Sequence, residues 1–174
     1  MKKLRIATFV SSHYSYPLPE GVIYAPIIMA KNLSEGLYKK GHEITFFAPG
    51  GTKINVSKVI GRELKPLKQN GDLLILKDLE GEAADVGKIY SLWDQYLLSI
   101  MFQKAMGGEF DILHIHPVDR ALPFAKILKK IPVLYTLHDP ILPWRKEVYQ
   151  MFATGNQHFV SISNSQRNPA PDLN

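Results

Sequence analysis

Apolar residues gather in strand-length runs separated by stretches with helical spacing. The runs are 4–10 (LRIATFV), 42–49 (HEITFFAP), 111–116 (DILHIH), 132–138 (PVLYTLH) and 158–163 (HFVSIS). Such near-continuous apolar runs fit parallel strands covered on both faces. Between the first two, Ile23 to Lys40 predicts a helix with Ile27, Ala30, Leu33, Leu37 and Tyr38 on one face. Gly41 stops it, and Lys39 and Lys40 occupy the last turn, where cations meet the negative end of the helix dipole. Ile89 to Met106 predicts a longer helix whose Ile89, Leu92, Trp93, Tyr96, Leu97, Ile100 and Met101 read as a core stripe, ended by Gly107-Gly108. Shorter helices are expected at Ala121–Lys130 and Pro143–Phe152. Gly50 to Gly87 is polar and glycine-containing, with one short strand expected in DLLILKDL, 72–79.

Strand, helix, glycine-ended turn and strand make a βαβ unit with a right-handed crossover. Its repetition predicts an α/β fold with a doubly wound parallel sheet, Rossmann-like, in one domain over residues 1–174. Ligands of such sheets bind beyond the carboxyl ends of the strands. The loops that matter are therefore 11–22, 48–52, 116–120, 138–142 and 163–167.

Polar, titratable residues collect at that edge while the strand bodies stay apolar. His116 ends DILHIH, and Pro117 removes the next ladder N–H. His138-Asp139-Pro140 ends the following strand, and Ser163-Asn164-Ser165 the last. His114 shares a face with His116, because side chains repeat every two residues. One pleat deeper, it reads as a core histidine with a local hydrogen-bond partner. His42, in a helix-to-strand turn at the opposite edge, reads as a surface residue; His13 falls in the first loop and His158 at the wrong end of its strand. A His-x-His strand end can chelate a metal, but a hydrolase barrel built on that pair needs about 250 residues. No metal is expected. Gly21 is placed where the first helix begins, and exposed N–H groups at a helix start can meet a phosphate or a sugar. The loop lacks G-x-G-x-x-G, so no nicotinamide cofactor is indicated.

The bulk numbers are those of a soluble globular protein: 174 residues, 45% hydrophobic, 21% charged and no cysteine. Disulfides and cysteine-ligated metals are excluded. The first apolar run ends by Ser11, too early for a secretory signal, and no stretch approaches the roughly 20 apolar residues of a membrane span. A cytoplasmic location is expected, with contact at the inner membrane face as an option. That option comes from the net charge of +5, concentrated where Lys53, Lys58, Arg62, Lys65 and Lys68 face only Glu63. A solvated lysine-rich surface competes with a site for anionic lipid or an anionic substrate. Nucleic acid is not expected, since no aromatic stacking motif accompanies the charge.

Taken together, PEGVIYAPIIMAKNLSEGLYKKGHEITFFAPG, FDILHIHP, IPVLYTLHD and FVSISNSQR resemble the amino-terminal half of family-4 glycosyltransferases, retaining enzymes of the two-domain GT-B fold. The resemblance covers nearly the whole chain except roughly 52–88. It implies that this domain binds the acceptor, a sugar, lipid-linked or small-molecule hydroxyl compound. A carboxyl-terminal domain would bind a nucleotide-sugar donor, without metal or cofactor. It implies that His116 and His138 lie at the reacting centre and that Gly21 and Val22 border the donor diphosphate. Asp139, Ser163 and Asn164 are further substrate contacts on this reading. Two departures accompany it: Glu20 stands where relatives often carry a second glycine, and the chain stops at NPAPDLN before any donor domain. A chain of this extent is expected to be inactive alone. A stand-alone binding module that kept the fold without catalysis is the alternative.

Overall fold

The computed structural model describes residues 2–66, 68–69, 72–73 and 83–173. Six strands form one parallel sheet: β1 (Arg5–Phe9), β2 (Glu43–Phe47), β3 (Lys58–Ile60), β6 (Ile112–Ile115), β7 (Val133–Leu137) and β8 (Gln157–Ser161). Their order is β3-β2-β1-β6-β7-β8. The chain winds outward from β1 in one direction and from β6 in the other. A crevice therefore opens between the carboxyl ends of β1 and β6, the switch point of the sheet. This is the doubly wound, Rossmann-like α/β arrangement read from the alternating pattern.

Burial explains the central strands. Ala7, Phe9, Leu113, Ile115, Val133 and Tyr135 have no exposed surface. One face of the sheet packs under α2 (Ala83–Met106), α3 (Val118–Ile127) and α4 (Pro143–Phe152) through Phe9, Phe47, Leu113, Ile115 and Tyr135. On the other face, Val10, Phe46 and Ala48 meet Ile27 and Ala30 of α1 (Ala25–Lys39). β3 went unread in the sequence. It has three residues at the sheet edge and no buried side chain, so it leaves no apolar run. A separate antiparallel pair joins β4 (Lys68–Gln69) to β5 (Asp72–Leu73). Of the strand expected at 72–79, those first two residues are in β5, and the rest lies outside the described residues.

The helices correct the sequence reading in detail. α1 starts at Ala25, with Pro26 in its first turn, where a missing N–H costs nothing. Its buried stripe is Ile27, Ala30 and Ser34, while Leu33 and Tyr38, expected inside, are exposed. Ser34 is tolerated there because its hydroxyl bonds Thr8 Oγ1 at 3.2 Å. The helix ends as expected: Gly41 has φ +90°, and the N–H groups of Gly41 and His42 return to Tyr38 O (2.9 Å) and Leu37 O (3.2 Å). α2 begins earlier than Ile89, and its buried face is Asp94, Leu97, Leu98, Met101, Phe102 and Ala105. Leu92 and Tyr96 of the expected stripe face solvent. α3 starts at Val118, directly after Pro117, and not at Ala121. His42 is also corrected. It is buried, and its Nδ1 accepts the Leu4 N–H at 3.2 Å, so the turn tucks under the start of β1.

Away from the crevice, Arg5 clamps β1 to β6. Its N–H donates to Asp111 Oδ2 at 2.8 Å and its Nη2 to Oδ1 at 2.9 Å. The Arg5 side chain holds the Asp111 carboxyl down at about 2. This pair sits at the amino ends of the strands, where its role is register.

Candidate functional site

A cavity of about 320 Å³ opens at the switch point. That is the small end of the range for small-molecule sites. β6 stops at Ile115, the His116 N–H still reaches Phe9 O at 3.1 Å, and Pro117 turns the chain into α3. β7 delivers His138 and Asp139 beside it. All three residues line the cavity.

The histidines are stacked in order. His114 and His116 share a face, with ring centroids 4.6 Å apart, and His116 and His138 are 5.1 Å apart. His114 is buried, and its Nε2 bonds Thr136 Oγ1 at 2.8 Å, the local partner expected for a core histidine. His116 Nδ1 and His138 Nε2 are 2.8 Å apart, one donating and the other accepting. His116 Nε2 is buried and has no protein partner. A buried polar atom without a partner costs about 1–3 kcal/mol. The His116 ring lines the cavity, which makes this nitrogen the candidate contact for a ligand.

Burial lowers the basicity of all three rings. It pushes His114 down to about 4, with help from His138, and pushes His116 well below the usual histidine range. His138, half-buried, is lowered by burial while Asp139 pulls the other way. Neutral imidazoles carry one donor and one acceptor each. They suit hydroxyl groups, which also do both.

The opposite wall hangs on one carboxylate. Asp94 of α2 has no exposed surface. Its Oδ1 accepts from Ser12 N–H (2.8 Å) and Ser12 Oγ–H (2.7 Å), and its Oδ2 accepts from Arg120 Nη1. Burial pushes this carboxyl up, and the Ser12 and Arg120 bonds oppose it. The Arg120 guanidinium lies 3.5 Å from the Tyr90 ring centre, and His13 packs on that ring at 3.6 Å. The Tyr90 hydroxyl meets Ser11 Oγ and His13 Nδ1. Beyond α3, the Tyr149 hydroxyl donates to Asp119 Oδ1 at 3.1 Å. Arg145 Nη2 donates to Asp139 Oδ2 at 3.3 Å.

Of the residues singled out in the sequence, His116, His138 and Asp139 come together, and Gly21, Val22, Ser163 and Asn164 do not line the cavity. Gly21 (φ +77°) lies in an exposed turn closed by Val22 N–H to Pro19 O at 3.1 Å. It precedes the helix and does not open it. Tyr24 and Pro26 represent that loop at the cavity instead. Ser163 caps the short α5 (Asn164–Arg167) by accepting the Gln166 N–H at 3.1 Å. Gln166 Nε2 then holds Asp139 O at 2.8 Å, so this turn braces the cavity rim indirectly. Sequence reasoning missed His13, Tyr90, Asp119, Arg120 and Tyr149. Asp119 and Arg120 fall in the loop window 116–120, and two opposite charges just past a strand-ending proline were the available signal. Among the described residues, no group of three or more His, Asp or Glu is placed to hold a metal ion.

The buried imidazoles predict an acid-sensitive fold. Each charges more readily in the unfolded chain, near pH 6.5, than in the folded one. Stability should therefore be complete above that pH and fall on acidification toward about pH 4, with His114 alone contributing roughly 3 kcal/mol. Urea denaturation at stepped pH measures it. A His114→Gln variant should show a flatter dependence, and a wild type equally stable at pH 4.5 and 7 would contradict the prediction.

No curated protein matches the chain. The family model for Glycosyltransferase Family 4 matches residues 28–169, from α1 through the end of α5. The matched stretch contains β6 of the two crevice strands with His116, Arg120, His138 and Asp139, and leaves β1, Gly21 and Val22 ahead of it. With the parallel sheet, the switch-point cavity and most of its length inside that match, the chain belongs to glycosyltransferase family 4.

Proposed function

We propose that residues 1–174 form the acceptor-side domain of a retaining glycosyltransferase that uses a nucleotide-sugar. The observation that carries this reading is buried His116, a cavity-lining residue whose Nε2 has no protein partner and whose Nδ1 is bonded to His138. On this reading that nitrogen bonds a hydroxyl at the reacting centre. His116 and His138 position the sugar and acceptor and stabilise charge. The donor's own phosphate takes the acceptor proton, so neither imidazole acts as a general base, in keeping with their low basicity. Positioning groups of this kind contribute about 3 kcal/mol, or a hundredfold in rate. Gly21 and Val22 border the donor's diphosphate when a second domain closes over the crevice, and Ser163 and Asn164 lie toward its hinge. Asp139 contacts substrate directly.

The donor's phosphates and nucleoside belong to that second domain on this reading. Arg120 is the one cationic side chain lining the cavity among the described residues, and it is already paired with Asp94. Titration calorimetry of the 174-residue chain with common nucleotide-sugars is expected to show little binding and no transfer. Micromolar affinity would overturn the assignment of the donor to another domain.

The enzyme is proposed to work in the cytoplasm, against the inner membrane face. No helix among the described residues is long and apolar enough to cross a membrane. Lys53, Lys58, Arg62 and Lys65 are exposed. Each basic residue close to an anionic surface adds about 1 kcal/mol, screened by salt. Co-sedimentation with anionic vesicles should occur at low salt and vanish as salt rises; equal binding to neutral vesicles, or none to either, would contradict it.

A further inference from the structure

We infer that the cavity selects an uncharged polyhydroxy acceptor and discriminates against phosphorylated ones. The inference deepens the glycosyltransferase reading and rests on it for the word acceptor. It stands on the charges around the cavity, where the one lining guanidinium is paired and the carboxylates outnumber their cation. Arg120 gives Nη1 to Asp94 Oδ2 and to Tyr90 O (3.2 Å), and its guanidinium carbon sits 3.5 Å from the Tyr90 ring centre. The buried Asp94 carboxylate, held by three charge-assisted or polar donors, cancels the guanidinium's charge. On the other side, Asp119 and Asp139 share one guanidinium, Arg145, at 3.8 Å and 3.3 Å. Two carboxylates against one cation leave that rim with an excess negative charge.

Hydrogen-bonding capacity points the same way as charge. Carboxylates only accept, so Asp119 and Asp139 ask for donors from the ligand. His116 Nε2 donates or accepts according to which proton its bond to His138 carries. A hydroxyl satisfies either state and also donates to a carboxylate. A phosphate oxygen offers only acceptors, faces the two carboxylates, and finds no uncompensated cation among the described lining residues. At about 320 Å³ the cavity has room for one sugar-sized ring.

The test is ligand-observed saturation-transfer NMR on the 174-residue chain. The probes are methyl glucoside, methyl mannoside and inositol, each beside its monophosphate. At least one neutral probe should bind. Its monophosphate should bind about tenfold more weakly, the size expected of like charges at a partly exposed rim. An Asp119→Asn/Asp139→Asn double variant should narrow that gap. Phosphorylated probes that bind equally or more tightly overturn the proposal. So does the absence of binding by every neutral probe, or a gap that survives the double substitution. None of these outcomes depends on a nucleotide-sugar. Failure of the transfer reading in the calorimetric experiment is therefore separable from failure here.

Discussion

One buried carboxylate determines the shape of the crevice. Asp94 has no contact with water and sits in the middle of an otherwise apolar helix face, between the layers it joins. It holds the first residues past β1 through Ser12 and the first turn of α3 through Arg120. Those segments diverge from adjacent strands at the switch point, and Asp94 ties both of them to α2. Removing one partner of such a buried pair typically costs 3–5 kcal/mol, because the other charge is stranded. The network's worth is geometric: it fixes where Arg120, Tyr90 and His13 stand opposite His116 and His138. The apolar layers beneath are ordinary packing and would tolerate volume-conserving change.

Physical causes separate what was readable in the sequence from what was not. Strand bodies were readable because parallel strands are covered on both faces and leave unbroken apolar runs. Their carboxyl tips were readable because polarity resumes abruptly there, which found His116, His138 and Asp139. The Arg120 side of the cavity was hidden. A carboxylate inside a helical stripe reads as a solvated position, and Asp94's partners lie 82 and 26 residues away in the chain. Tyr90 sat in a helix whose aromatics read as core. His42 was misread for the same kind of reason, since its burial depends on the N–H of Leu4 across the sheet edge. Gly21 was put at the helix start because a loop glycine before a helix resembles a helix-start glycine until the loop's own turn is seen.

The two histidines of DILHIHP share a face and differ by one pleat, and that single step separates a satisfied side chain from an unsatisfied one. His114 is satisfied by Thr136 and closed off; His116 is closed off and not satisfied. The central claim is that the unsatisfied one works. Alanine substitutions at each position, in the proposed two-domain enzyme, measure that claim most directly. The account predicts that His116→Ala keeps its melting temperature and loses roughly a hundredfold in turnover. His114→Ala should melt several degrees lower and keep its turnover per folded molecule. The reverse pair of phenotypes would contradict the account and move the site away from the tip of β6.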